Sequence, residues 1–171
     1  PVDSLQNRLD WVASVGCAGV MVCPSLMGLD VMRGIASGPY PLAIMAHPSH
    51  SQAAPGRSEG IAPDVLFGTF FRAAGADIVV YVNAGGRFAW PVETCEAINA
   101  RLRGPLGRHR SSFPAPAGGV KAADARVWLE RYGPETMLLI GGSLLGEDDL
   151  LDATRGVVAA AVDTAPPGPR T

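Results

Sequence analysis

Aromatic residues make up only 6% of the 171-residue chain, and no basic run is interleaved with them. The stacking platforms and cationic tracks of a nucleic-acid binder are therefore missing. Formal net charge is −2, with no block of like charge, so nothing favours an anionic membrane surface either. No apolar run reaches the ~20 residues that span a bilayer, and no secretory leader is visible. The three cysteines, Cys17, Cys23 and Cys95, form no C-x-x-C pair. Scattered and odd in number, they read as small buried hydrophobes in a reducing compartment, and a cytoplasmic location is expected. Also absent are a Gly-x-Gly-x-x-Gly fingerprint, a Walker loop, a nucleophile elbow and a paired-carboxylate strand end.

What is present is a repeat of short apolar runs and amphipathic segments, separated by many of the 21 glycines and 15 prolines. With 47% hydrophobic residues a chain of this size can bury a single core. Continuous apolar runs at 18–23, 42–46, 76–82, 113–117 and 137–140 read as strands covered on both faces, as in parallel sheets. One helical pattern lies between each pair. Val65, Leu66, Phe70, Phe71 and Ala74 form the apolar face of one, entered through Pro63. Val92, Cys95, Ile98 and Leu102 line another. Residues 101–112 read as a basic loop, and the acids at 147–149 suit a helix start. No hairpin signal occurs, so five parallel βα units with right-handed crossovers are expected. Five are too few to close an eightfold barrel and suit an open sheet or part of a barrel.

In either form ligands bind at the C-terminal ends of the strands. Two of those ends finish in Gly-Gly, at Gly118-Gly119 and Gly141-Gly142. Lacking a Cβ, these glycines would let an anion approach the backbone N–H groups, and phosphate binding is expected there. The plainer alternative is that they only end strands tightly. Arg87 follows Gly85-Gly86 on a loop from which a guanidinium could clamp a phosphate or carboxylate. His47 directly follows a strand and is a candidate catalytic or anion-binding imidazole. Asn83 could hydrogen-bond a substrate hydroxyl or favour its turn. His47 and His50 do not have strong metal-ligand spacing, and no metal site is expected in this segment. Asp124, Glu130 and Arg131 read as a solvated helix face.

Phe-Pro-Ala-Pro-Ala-Gly-Gly-Val (113–120), followed after a helix by Met-Leu-Leu-Ile-Gly-Gly-Ser-Leu-Leu-Gly (137–146), resembles the end of the RuBisCO large-subunit barrel, especially in RuBisCO-like (form IV) relatives. Residues 75–88, 42–48 and 20–28 resemble the family's sixth, fifth and fourth barrel strands. The resemblance implies a partial (β/α)8 barrel, strands 4–8, over residues 1–164, with a Pro-rich tail at 165–171 and an N-terminal part lying before Pro1. It implies that Gly119, Gly141 and Gly142 hold a substrate phosphate together with Gly118. It places Arg87 at the family's loop lysine and His47 at an arginine for a second phosphate. Ala117 and Val80 stand where RuBisCO has serine and histidine, and these departures argue against CO2 fixation. The implied activity is lyase- or isomerase-type chemistry on a phosphorylated keto-sugar or similar ketone: enolisation, isomerisation, or decarboxylation and carboxyl transfer through a Mg2+-stabilised enediolate. The Mg2+ ligands are expected upstream of this segment, the fragment alone is expected to be inactive, and the full-length protein is expected to be a homodimer or larger homo-oligomer. Two alternatives stand beside this: another phosphate-binding TIM-barrel enzyme, and a non-catalytic barrel remnant.

Overall fold

A computed structural model describes residues 4–51, 60–86 and 90–164. In chain order its elements are α1 (Leu5–Ser14), β1 (Gly19–Val22), α2 (Pro24–Met27), α3 (Leu29–Ala36) and β2 (Ala43–Ala46). Next come α4 (Pro63–Val65), which runs on as a π-helical turn (Leu66–Phe71), then β3 (Ile78–Val82), α5 (Val92–Arg103) and β4 (Phe113–Ala117). A 3-10 turn (Ala122–Asp124) leads into α6 (Ala125–Tyr132), and α7 (Gly142–Leu145) and α8 (Leu150–Thr164) close the described chain. The four strands form one parallel sheet in strict chain order.

The core lies on one face of that sheet. Val22, Ile44, Ala46, Val79 and Tyr81 pack against Met32, Phe67, Phe71, Cys95, Ile98 and Leu102 from the helices. Pairing register sets Met21, Met45, Ile78 and Phe113 at one level on the opposite face. Met21 is 56% exposed and Phe113 50%. A doubly wound sheet carries helices on both faces, whereas helices on one face and sequential strand order belong to part of a barrel.

The fifth expected strand is reduced to a single bridge, Ala117 with Leu139. Two residues of β4 supply the reason. Phe113 turns its backbone toward β3, donating N–H to the Asp77 carbonyl at 2.8 Å, so Pro114 and Pro116 face the other way. Their carbonyls accept from the Met137 and Leu139 amides at 2.9 and 3.2 Å. Neither proline has an N–H to return, so this seam lacks the reciprocal half of its ladder.

The helix entered at Pro63 also departs from expectation. The π-helical turn displaces Phe70, which is 39% exposed, and buries Phe67 completely in its place. Five-residue closure puts Leu66 and Phe71 on one face, which a 3.6-residue repeat does not. The start of β3 has its own splice. Asp77 accepts from the Ile44 amide through Oδ2 at 2.8 Å while its own amide donates to the Ile44 carbonyl at 2.9 Å. At the last helix the expected acidic start is used: Asp149 Oδ1 accepts from the Asp152 amide at 2.9 Å.

Residues 101–112 are better ordered than a basic loop. The first three finish α5, and the rest is held by Arg72, which is only 3% exposed. Its guanidinium donates to the carbonyls of Arg101 (2.7 Å), Gly104 (2.6 Å), His109 (3.0 Å) and Arg110 (2.6 Å). A buried cation here is satisfied by backbone dipoles at a helix C-terminus. Replacing Arg72 with Met is expected to cost about 3 kcal/mol or more, since four carbonyls lose a charged donor. Replacing Arg101, whose ion pair with Asp64 is half-exposed, is expected to cost less than about 1 kcal/mol. Urea titrations of the two variants check the contrast.

Candidate active site

Because all four strands are parallel, their C-terminal ends share one rim. In strand order it carries Pro24–Met27 after β1, His47–Ser51 after β2, Asn83–Gly86 after β3 and Gly118–Gly119 after β4. Gly141–Ser143 stands beside the last of these. Two contacts hold the two glycine turns together: the Ala117–Leu139 bridge, which includes the Leu139 amide on the Pro116 carbonyl at 3.2 Å, and Ser143 Oγ donating to the Val120 carbonyl at 3.0 Å. Among the described residues the amides of Gly119, Gly141 and Gly142 donate to no other backbone group, while that of Gly118 faces the Leu139 carbonyl across the bridge.

The four glycines differ in what surrounds them. A Cβ on Gly118, Gly141 or Gly142 would meet nothing within 4 Å. Gly118 and Gly119 are consecutive residues of positive φ, +78° and +75°, a region that glycine enters without steric cost. A Cβ on Gly119, however, would lie 2.5 Å from the Gly86 nitrogen. Open space for a ligand and a tight backbone crossing therefore coexist in one turn.

His47 lines an open hollow of about 420 Å3 with Pro48, Ser49, His50 and Val82. Its Nδ1 lies 2.9 Å from Ser49 Oγ and accepts from the Ser49 backbone N–H at 3.3 Å. A backbone amide can only donate, so Nδ1 is the acceptor and the neutral ring carries its proton on Nε2. Ser51 is fully buried, and its Oγ lies 2.6 Å from Ser25 Oγ, tying the loops after β1 and β2 together. Val80, 1% exposed, pairs in register with Ala115, and Val82 pairs with Ala117. Only aliphatic groups stand at these levels between the hollow and the glycine turns.

Asn83 is not exposed on the rim. It is fully buried, its amide donates to the Ala117 carbonyl at 2.9 Å, and its Oδ1 accepts from the Tyr132 hydroxyl at 2.9 Å. The hydrogen bond from Tyr132 ties this side chain to α6, and its Nδ2 has no partner among the described residues. Arg87 lies outside the described residues, as does the tail 165–171. Among the described residues no group of three or more His, Cys, Asp or Glu is placed to hold a metal ion. None of the described helices is long and apolar enough to cross a membrane.

Sequence reasoning passed over Ser25, Ser51, Ser143 and Tyr132. Ser143 directly follows Gly141-Gly142, and its position there was the available signal. Tyr132 lies on the inner side of the helix whose exposed Glu130 and Arg131 read as a solvated face, and the signal was that Ala125, Leu129 and Tyr132 recur at helical spacing, all three buried.

No protein-family model matches the chain. It is 38% identical over 150 residues to ribulose bisphosphate carboxylase-like protein 1 of Rhodopseudomonas palustris, covering 88% of this chain and 39% of that protein. The chain belongs to the RuBisCO-like branch of the RuBisCO large-subunit family. It is also 34% identical to 5-methylthioribulose-1-phosphate isomerase of Rhodospirillum rubrum, over 98% of this chain and 44% of that protein. Among solved structures, a RuBisCO-like protein from Alicyclobacillus acidocaldarius superposes with a TM-score of 0.85 at 28% identity, over 95% of this chain and 41% of that one. The chain thus spans about two fifths of the length of these RuBisCO-like proteins and corresponds to their C-terminal barrel portion.

The tautomer of His47 is open to direct measurement. For the neutral ring, long-range 15N–1H correlation is expected to show protonated Nε2 and unprotonated Nδ1. A protonated Nδ1 would contradict the Ser49 contact.

Proposed function

We propose that the protein carrying this chain is an enzyme acting on a ketone that bears one phosphate, removing a proton next to the carbonyl so that an enediolate forms. Isomerisation follows if the proton returns at the neighbouring carbon. Gly118, Gly119, Gly141 and Gly142 bind the phosphate through backbone N–H groups, which need no side-chain charge when preorganised. His47 offers Nε2–H to an oxygen at the other side of the mouth, across Val82. The observation that carries the reading is the abutment of the two glycine turns, with the amides of Gly119, Gly141 and Gly142 free among the described residues and three of the four glycines bordering open space. The activity of the Rhodospirillum rubrum relative, a 5-methylthioribulose-1-phosphate isomerase, supports the same substrate class. Aliphatic Val80 and Ala117 between His47 and the glycine turns favour one phosphate over two.

The described residues offer no cluster fitted to a metal ion. The Mg2+ implied by the family resemblance would take its ligands from residues other than these, and no step assigned here passes through it. The role of Arg87 is likewise proposed from its place after Gly86 in the sequence. A homo-oligomer is proposed for the intact protein on the same resemblance.

Gly142 gives a clean test, because a side chain there meets nothing within 4 Å and its backbone is not left-handed. In the intact protein Gly142→Asp is expected to raise KM for 5-methylthioribulose 1-phosphate at least ~10-fold, about 1.4 kcal/mol, by placing a carboxylate against the phosphate. Gly142→Asn, of the same shape without the charge, is expected to stay within about threefold. Solvent deuterium entering the substrate, followed by proton NMR, checks for the enediolate. Equal KM values for the two variants would remove the phosphate from this turn, and no deuterium exchange would remove the enolisation.

A further inference from the structure

The loop leaving β3 and the turn leaving β4 touch backbone to backbone. A Cβ on Gly86 would stand 2.7 Å from the Gly118 carbonyl oxygen, 2.9 Å from its carbon and 3.1 Å from the Gly119 nitrogen. A Cβ on Gly119 would stand 2.5 Å from the Gly86 nitrogen and 3.0 Å from the Gly85 carbonyl carbon. No side chain fits on either side without moving backbone, and backbone cannot swing aside as the end of a side chain can. Three residues before Gly86, the same loop is gripped from behind. Asn83 is fully buried between the Ala117 carbonyl and the Tyr132 hydroxyl, 2.9 Å from each. Tyr132 closes α6, the helix that follows the Gly118–Gly119 turn, and its ring stacks on Trp128 with centroids 5.3 Å apart. Burial pushes its hydroxyl well above the usual phenol range, which keeps it a proton donor to Asn83 Oδ1. One βα unit therefore holds the start of the preceding loop at two points, in front by glycine backbone and behind by a tyrosine.

Neither Gly86 nor Tyr132 has a side-chain group that the described contacts leave for a ligand: glycine has none, and the Tyr132 hydroxyl is used by Asn83. What they fix is the orientation of the two peptide planes at Gly118 and Gly119, the amides assigned to the phosphate. We infer that Gly86 and Tyr132 are positioning residues of the phosphate site, so that affinity for phosphate depends on a backbone crossing and a buried Tyr–Asn hydrogen bond that phosphate never touches. The inference rests on the phosphate reading of the glycine turns. Coupling of this kind is reciprocal: phosphate on Gly118–Gly119 steadies the loop at residues 83–86, just as the loop steadies the amides.

The test uses the intact protein, inorganic phosphate as the probe, and three variants: Gly86→Ala, Tyr132→Phe and Gly142→Asp. Phosphate affinity is read by calorimetry, and amide exchange at residues 83–86 is read with and without phosphate. Tyr132→Phe removes only a hydroxyl and keeps the ring stack, so it remains informative if Gly86→Ala fails to fold. Both positioning variants are expected to bind phosphate roughly fivefold or more weakly, and to lose the phosphate-dependent protection at 83–86 that the unaltered protein shows. A Tyr132→Phe protein that melts earlier but keeps phosphate affinity within twofold and keeps that protection overturns the inference, because its hydroxyl is then only structural. Gly142→Asp separates the two levels. If it abolishes phosphate binding while Tyr132→Phe leaves it intact, the cup stands and the positioning role falls. If Gly142→Asp leaves binding intact, the cup itself falls, and the positioning role with it.

Discussion

The pairing of β3 with β4 is the constraint on which the rest of this structure depends. Five residue pairs run in parallel register from Ile78–Phe113 to Val82–Ala117, against two pairs between β2 and β3. This ladder brings both strands to the rim at one height, so Asn83 caps it by donating to Ala117 and the two chains leave side by side. The Gly86–Gly119 crossing, the seat of Asn83 under Tyr132, and the position of Val82 in the His47 hollow all follow from that register. A slip of one residue would turn every side chain of β4 to the wrong face and would send Gly119 away from Gly86.

The two neighbours of this ladder are built differently, and each difference has a local cause. Toward β2 the ladder is short, and the carboxylate of Asp77 stands in for a strand partner by accepting from Ile44. Toward residues 137–140 the prolines of β4 accept hydrogen bonds and return none, so the seam is one bridge wide. The second glycine turn is consequently placed less by sheet pairing than by Ser143 reaching to Val120. A site whose two halves hang from seams of unequal strength needs such cross-links, and the hydroxyl contact between exposed Ser25 and buried Ser51 plays the equivalent part on the His47 side. Behind the rim, Arg72 gathers four carbonyls at the end of α5 and keeps the approach to β4 in place.

Much of this was legible in the chain. Apolar runs ending in glycine, with helices between, imply parallel strands because only local periodicity and turn chemistry are needed to see them. The positions of β1 to β4 and of α5 and α8 follow from that pattern. So does the choice of rim, since parallel strands put all their C-terminal ends on one edge. The fifth strand misled because Met137–Ile140 is as apolar as the others, while the missing donors lie in its partner, at Pro114 and Pro116. Phe70 misled because a helical wheel assumes 3.6 residues per turn and the segment winds wider.

By itself the sequence determined that four glycines stand at two strand ends and that a histidine follows another. These are statements about one stretch of chain at a time, and covalent order is enough for them. Only the tertiary structure decided what each glycine is for. Gly118, Gly141 and Gly142 border open space, while Gly119 is a glycine because Gly86 occupies the place of its Cβ. It also decided that Asn83 is buried with its Oδ1 on the Tyr132 hydroxyl. Residues 86 and 119, or 83 and 132, come together only through strand register and helix packing, and contacts between distant segments leave no periodic trace in either one.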